Sequence, residues 1–263
     1  MSYQNLTLQQ EQEMLTYLKA NMDLFIGSGS SRAVFRCDET MRKIFQLDNI
    51  AVELIVKMSL GLGGYRQSSL EVSTYNYIGN TGCLADIYAR GSIFTVMERL
   101  DIDYDFDDFY QDVCYEGDLE DFICNYHCAD ELDTESYRRL YNKYLSAYNT
   151  ITKLDEYLGQ TGDNSQLGWS EIDGVFKAYD YGFDAERLSS EQMTESSNYF
   201  AYGDEYNTEL FEIIMVQVEE ILAAGGNALG EKEFQAIEES FIDFCENWER
   251  DAEKALTEEF EEC

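Results

Sequence analysis

The apolar residues of this chain keep a helical period over residues 6–22 and then abandon it for the two-residue period of strands, and this switch confines the chain to a mixed fold. Over 6–22, Leu8, Met14, Leu15 and Leu18 are spaced for one helix face, with Thr7 placed to cap the first turn. Leu24-Phe25-Ile26 then runs into Gly27-Ser28-Gly29-Ser30-Ser31, and Ala33-Val34-Phe35-Arg36-Cys37 follows, which reads as strand, Gly/Ser turn and strand. Further strands are predicted over 41–47 and 50–60, then a glycine-rich break at Gly61 to Gly64 and a helix over 67–77. A hairpin of 84–89 with 93–97, turning at Arg90-Gly91, closes this part.

Beyond the hairpin the helical period returns. Over 134–158, Tyr137, Leu140, Tyr141, Tyr144, Leu145, Tyr148 and Ile151 recur at three and four, the spacing of a core face. A loop-and-strand section is expected over 159–183, then two acidic amphipathic helices over 208–224 and 231–262, separated by the breaker around Gly225-Gly226-Asn227. The fold class expected is α+β, with a β-rich part and its leading helix at 1–97 and an acidic, mostly helical part at 98–263.

Charge separates the same two parts. The net charge is −35; up to Met97 eight Lys and Arg stand against nine Asp and Glu, and from Glu98 onward ten stand against 44. With 44 % hydrophobic and 14 % aromatic residues the chain still has the material for a core, so it is not an acidic disordered tail. A surface of this sign repels nucleic acid and anionic membrane and steers basic proteins toward itself. The longest apolar runs, such as 213–218, are too short to span a bilayer, and no leader pattern opens the sequence. Seven cysteines at scattered spacings fit reduced thiols, so a cytoplasmic setting is expected. The chain has no proline, for which no functional account follows.

A glycine-rich turn between strands lets backbone N–H groups approach a phosphate, which makes Gly27, Gly29 and the following Val34 a candidate nucleotide cover. Lys57 follows on a strand, Glu71 in the next helix, and the hairpin ends in Met97-Glu98-Arg99-Leu100. In this order the residues resemble the N-terminal lobe of protein kinases, and the whole resembles a kinase-like two-lobed fold, with a small β-rich N-lobe and an acidic, mostly helical C-lobe. The resemblance implies that Lys57 holds phosphates, that Glu71 is its ion-pair partner, and that residues 97–100 form the hinge beside an adenine. Phe176-Lys177-Ala178-Tyr179-Asp180-Tyr181-Gly182-Phe183 is similar to the strand and metal-binding Asp-Phe-Gly segment, with Tyr181 for the phenylalanine and Asp180 for the metal ligand. ATP and magnesium are the cofactors this implies; the residues by themselves demand none.

The departures point away from catalysis. Arg32 replaces the third glycine of the loop, which keeps the loop further from phosphates. The kinase catalytic loop needs an aspartate base and, five residues on, an asparagine for metal. Aligning Gln166 with the asparagine puts Thr161 at the base; aligning Asp163 with the base puts Gly168 at the asparagine. Neither alignment supplies both groups, so the resemblance is to a pseudokinase, similar to small divergent kinase-like proteins of bacteriophage genomes, with Asp163 the base if the chain is active.

Acid and apolar residues alternate through Asp101, Asp103, Asp105 and Asp107, which in an extended chain sets carboxylates about 6.6 Å apart on one face, like a row of phosphates. Asp108 and Asp112 prolong the row, and Glu246, Glu249 and Glu253 lie on the last expected helix. The intervening Tyr and Phe offer flat anchors for a partner. A solvated acidic face reads equally well from the same residues. Cys124, His127 and Cys128 lack the second ligand pair of a zinc site, and His127, the sole histidine, has no catalytic neighbours and reads as structural.

The expected function is that of an inactive kinase-like protein that binds and inhibits a basic, nucleic-acid-binding host protein through a surface mimicking nucleic acid, without binding nucleic acid or membrane itself. The alternatives are an active atypical ATP-dependent protein kinase, and an acidic binding module with no kinase ancestry.

Overall fold

The computed structural model describes residues 3–28, 32–59, 62–102, 119–126, 133–158 and 166–181, with isolated positions between 216 and 239. The leading helix is α1 (Leu8–Ala20), started as expected by Thr7, whose hydroxyl accepts from Gln10 N at 3.2 Å while the Gln10 side chain accepts from Thr7 N at 2.9 Å. Around it a six-stranded mixed sheet forms from β1 (Gln4–Asn5), β2 (Phe25–Ser28), β3 (Arg32–Arg36), β4 (Leu54–Ser59), β5 (Ile87–Arg90) and β6 (Phe94–Glu98), in the order β1-β5-β6-β4-β3-β2. Only β1 runs parallel to its neighbour.

The pleat sorts the sheet into two faces. Ala33, Phe35, Val56, Met58, Phe94 and Val96 point to one side and build a core with Met14, Leu15 and Leu18 of α1. Each of these nine side chains is 0 % exposed, and at ~25 cal/mol per Å2 a core of this size is the main term holding sheet and helix together. Glu11, on the same helix, is buried among them, and its Oε1 accepts from Ile93 N at 2.7 Å, tying α1 to the β5–β6 turn. A Cβ on Gly91 would run into that carboxylate, so a side chain there would have to push Glu11 off its main-chain partners.

The opposite face carries Arg32, Val34 and Lys57 and is covered by α3 (Leu62–Ile78). Residues 41–47, expected as a strand, instead form most of α2 (Glu39–Ile44) and the turn after it. The reason is a cap: Asp38 Oδ1 accepts from Met41 N at 2.9 Å, and Met41 and Phe45, four apart, bury one helical face fully. Arg42 then holds the carbonyls of Ile50 and Val52 at 2.6 and 2.5 Å, which keeps the strand expected from residue 50 from starting before Leu54. Helix α3 likewise begins before the expected residue 67 and takes in Gly63 and Gly64, where a break was expected.

The remaining described chain is helix and hairpin. Helix α4 (Leu119–Tyr126) packs on α5 (Thr134–Leu158), whose bounds match the expectation, and α5 lies on the hairpin of β7 (Leu167–Ser170) and β8 (Val175–Ala178). Tyr144, Ala147, Ile151 and Leu154 are the buried stripe of α5, while Tyr148, expected within it, is 37 % exposed because Ala147 and Thr150 take the inward positions. Thr150 Oγ1 donates to Phe176 O at 2.7 Å and fixes helix against strand. Hairpin and sheet join through main-chain bonds from Ala85 N to Ala178 O and from Ala178 N to Cys83 O, and through the Asp101–Trp169 bridge. A Cβ on Gly168 would stand 2.5 Å from Leu100 Cβ, which shows how closely β7 approaches the chain leaving the sheet. Among the described residues, no helix is long and apolar enough to cross a membrane.

Candidate functional site

Strand register places the first candidate residues side by side. Gly27 pairs with Val34, and Val34 with Lys57, so the three share one sheet face across β2, β3 and β4. Arg32, two residues before Val34, falls on that face as well. Helix α3 lies above it and turns Gln67, Ser68 and Glu71 inward; Ser68 and Ser59 hydroxyls meet at 3.2 Å. Asp180 enters from the segment that follows β8.

The side chains converge on two carboxylates. Lys57 Nζ donates to Glu71 Oε1 at 2.6 Å and to Tyr179 O at 2.7 Å. Arg32 Nη2 donates to Asp180 Oδ1 at 2.5 Å, and Gln67 Nε2 donates to the same oxygen at 2.9 Å. Arg32 Nη1 stands 2.8 Å from Glu71 Oε2 in an ion contact whose alignment is not that of a hydrogen bond. Arg32, Lys57 and Glu71 are 5, 4 and 0 % exposed and the Asp180 side chain keeps 28 % of its surface, so two cations and two anions form a neutral cluster that meets solvent at Asp180.

Burial and pairing set the titration of each group. Burial opposes the charge of Arg32, but Glu71 and Asp180 outweigh it and hold its pKa above the ordinary value. Burial, then repulsion by Arg32, lowers Lys57. For Asp180 burial alone would raise the carboxyl; Arg32, Lys57 and the hydrogen bonds from Arg32 and Gln67 hold it below the usual range.

Of the residues singled out in the sequence, Gly27, Val34, Lys57, Glu71 and Asp180 come together here. Gly29 and Asp163 lie outside the described residues, as do Asp103, Asp105, Asp107, Asp108, Asp112, Glu246, Glu249, Glu253, His127 and Cys128. Asp101 is described and lies half-buried against Trp169, while Ile102 is 56 % exposed. Cys37, Cys83 and Cys124 are free thiols, and burial pushes Cys37 up to about 12, which makes it a packing group.

A second cluster was not anticipated. Lys177 Nζ sits 2.8 Å from Glu98 Oε2, 2.5 Å from Asp173 Oδ2 and 3.2 Å from Asp86 Oδ2, while Ser170 Oγ donates to Glu98 Oε1 at 2.5 Å. Burial works against the Lys177 charge, yet its bonds to Asp173 and Glu98 raise its pKa. The three carboxylates lie close enough to hold a metal ion, but the ammonium fills their centre. The available signal was a lysine in the middle of the apolar run Val175-Phe176-Lys177-Ala178, where a strand buried on both faces has no room for an unpaired charge.

The residues at the first cluster do not fit a magnesium ion as arranged. Asp180 Oδ1 already accepts from two donors, and the cation between Asp180 and Glu71 is the Arg32 guanidinium. Arg99, at the end of β6, pairs instead with exposed Glu53 at 3.0 Å, and Leu100 packs on Gly168. Comparison with protein families, with curated proteins and with solved structures finds no match for this chain.

Proposed function

We propose that this chain is kinase-like in build, does not transfer phosphate, and acts by presenting its acidic part to a basic, nucleic-acid-binding protein whose nucleic-acid site it occupies. The kinase-like reading draws support from the meeting of Lys57, Glu71 and Asp180, which stem from a strand, the next helix and the segment after a distant hairpin. The observation that carries the inactive reading is the salt bridge from Arg32 to Asp180, which leaves the metal ligand implied by the kinase resemblance already engaged. The binding role rests on charge: 44 acidic against ten basic residues from Glu98 onward, in the cytoplasm of the cell or of a phage host.

The 2.6 Å contact of Lys57 with Glu71 favours one other reading, an active atypical kinase using ATP and magnesium. One experiment separates them. The chain is incubated with radiolabelled ATP, magnesium or manganese and a basic protein substrate, and in parallel with nucleic-acid-binding proteins loaded with labelled duplex DNA. Background transfer together with salt-sensitive displacement of DNA, lost on reversing Asp101, Asp103, Asp105 and Asp107 to Lys, supports the binder. Transfer abolished by Lys57→Ala sinks it.

A further inference from the structure

We propose that Arg32 is a resident cation standing where a divalent metal would stand between Asp180 and Glu71, so that the cluster excludes metal-bound nucleotide by its own construction. The inference rests on the kinase-like reading above and adds to it which residue holds the metal's place.

Arg32 opens β3, and its side chain crosses to a carboxylate 148 positions later in the chain. A guanidinium is planar, permanently charged and able to serve two carboxylates at once, which is the geometric task of a bridging metal. Here it stands 2.5 Å from Asp180 Oδ1 and 2.8 Å from Glu71 Oε2. Unlike a metal, it cannot be chelated or diluted away.

Charge and space both resist a second cation. With Lys57 and Arg32 against Glu71 and Asp180 the cluster is neutral, and a divalent ion added to it would leave two buried positive charges uncompensated. Magnesium needs several oxygen ligands at short range, and Asp180 Oδ1 is already shared by Arg32 and Gln67. Lys57 keeps two of its three donors on Glu71 and Tyr179. Arg32 and Lys57 are each no more than 5 % exposed and only the Asp180 side chain, 28 % exposed, meets solvent, so a metal bridging Asp180 and Glu71 has to take the place of the guanidinium.

The test uses Mn2+ alone as probe, followed by water proton relaxation. Because the acidic surface binds Mn2+ loosely everywhere, the readout is the difference between a chain and its Asp180→Asn counterpart. No difference is expected for the natural chain. Arg32→Gln should create an Asp180-dependent site at least tenfold tighter than any in the natural chain, and Arg32→Lys, which retains a charge, should not. Asp180-dependent Mn2+ binding to the natural chain overturns the proposal, as does its absence in an Arg32→Gln variant whose circular dichroism is unchanged. Should Arg32→Gln not fold, the natural chain and Arg32→Lys decide alone: Asp180-dependent binding by either overturns, and its absence in both upholds. Addition of ATP separates the two readings. An Arg32→Gln variant that takes up Mn2+ but gains no thermal stability from Mn2+ with ATP leaves Arg32 as the resident cation and removes the kinase-like reading.

Discussion

Two buried charge clusters fasten the β7–β8 hairpin and its exit to the six-stranded sheet, and they are balanced differently. Around Glu71 two cations meet two anions, and three of the four groups are closed to solvent. Around Lys177 one cation meets three carboxylates, and the side chains of Asp173 and Asp86 keep 48 and 19 % of their surface. The excess negative charge is tolerated because it lies toward water and because neutral donors share it: Ser170 Oγ on Glu98, Tyr75 OH on Asp86. Buried charge is thus stabilised in two ways, by matching cations where little water reaches and by neutral donors where the excess charge meets solvent. The consequence is redundancy in the first cluster and none in the second.

Removal of the single cation should therefore have the largest effect. Lys177→Met keeps the volume but leaves Glu98 buried against Asp86 with no cation, and a loss of about 3–5 kcal/mol is expected in urea unfolding at neutral pH. A loss under about 1 kcal/mol would break the comparison. Lys57→Met should lose less, about 1–3 kcal/mol, because Arg32 stays within 2.8 Å of Glu71. A loss equal to or larger than that of Lys177→Met would mean that Arg32 does not compensate.

The two lysines should also titrate in opposite directions. Lys177 is raised above 10.5, so the folded chain keeps a proton that the unfolded chain has released; its contribution is whole below 10.5 and is lost as pH rises above it. Lys57 is lowered, so below 10.5 the folded chain releases a proton that the unfolded one keeps, and this group's contribution rises with pH toward 10.5. Carbon-13 NMR of the lysine side chains would resolve both. Titration of the pair on the same side of 10.5 would remove the contrast.

What was legible in the sequence follows from how local each signal is. Thr7, the strands around Gly27 and the bounds of α5 each rest on residues whose spacing carries the information, whereas the pairing of Lys57 with Glu71 was expected from the resemblance to protein kinases. Helix α2 was hidden because a segment as short as Met41 to Leu47, apolar only at 41, 44, 45 and 47, suits strand and helix alike, and the deciding residue, Asp38, lies three before it. Arg32 stood out as a departure from a glycine pattern, but its partners at 71 and 180 are tertiary facts. Lys177 was passed over for the same reason, since Glu98 and Asp86 reach it from other strands or their ends. The half-burial of Asp101 is likewise tertiary, since it follows from the bridge to Trp169, 68 positions on.

The smallest effect tests whether charge number or burial drives the comparison. Arg99 and Glu53 form an ion pair at 3.0 Å where the adjacent strands β4 and β6 meet at one end of the sheet, with side chains 45 and 76 % exposed. Solvent screens such a pair, and holding two long side chains together costs entropy, so Arg99→Ala should change stability by no more than about 0.5 kcal/mol. The main-chain bond from Arg99 N to Glu53 O stays in place in that variant and isolates the side-chain contribution. If unfolding in urea shows instead a loss near that of Lys177→Met, pairing at this edge stabilises regardless of exposure. The two buried clusters would then differ from the surface only in position, and the redundancy argued for Arg32 would lose its physical basis.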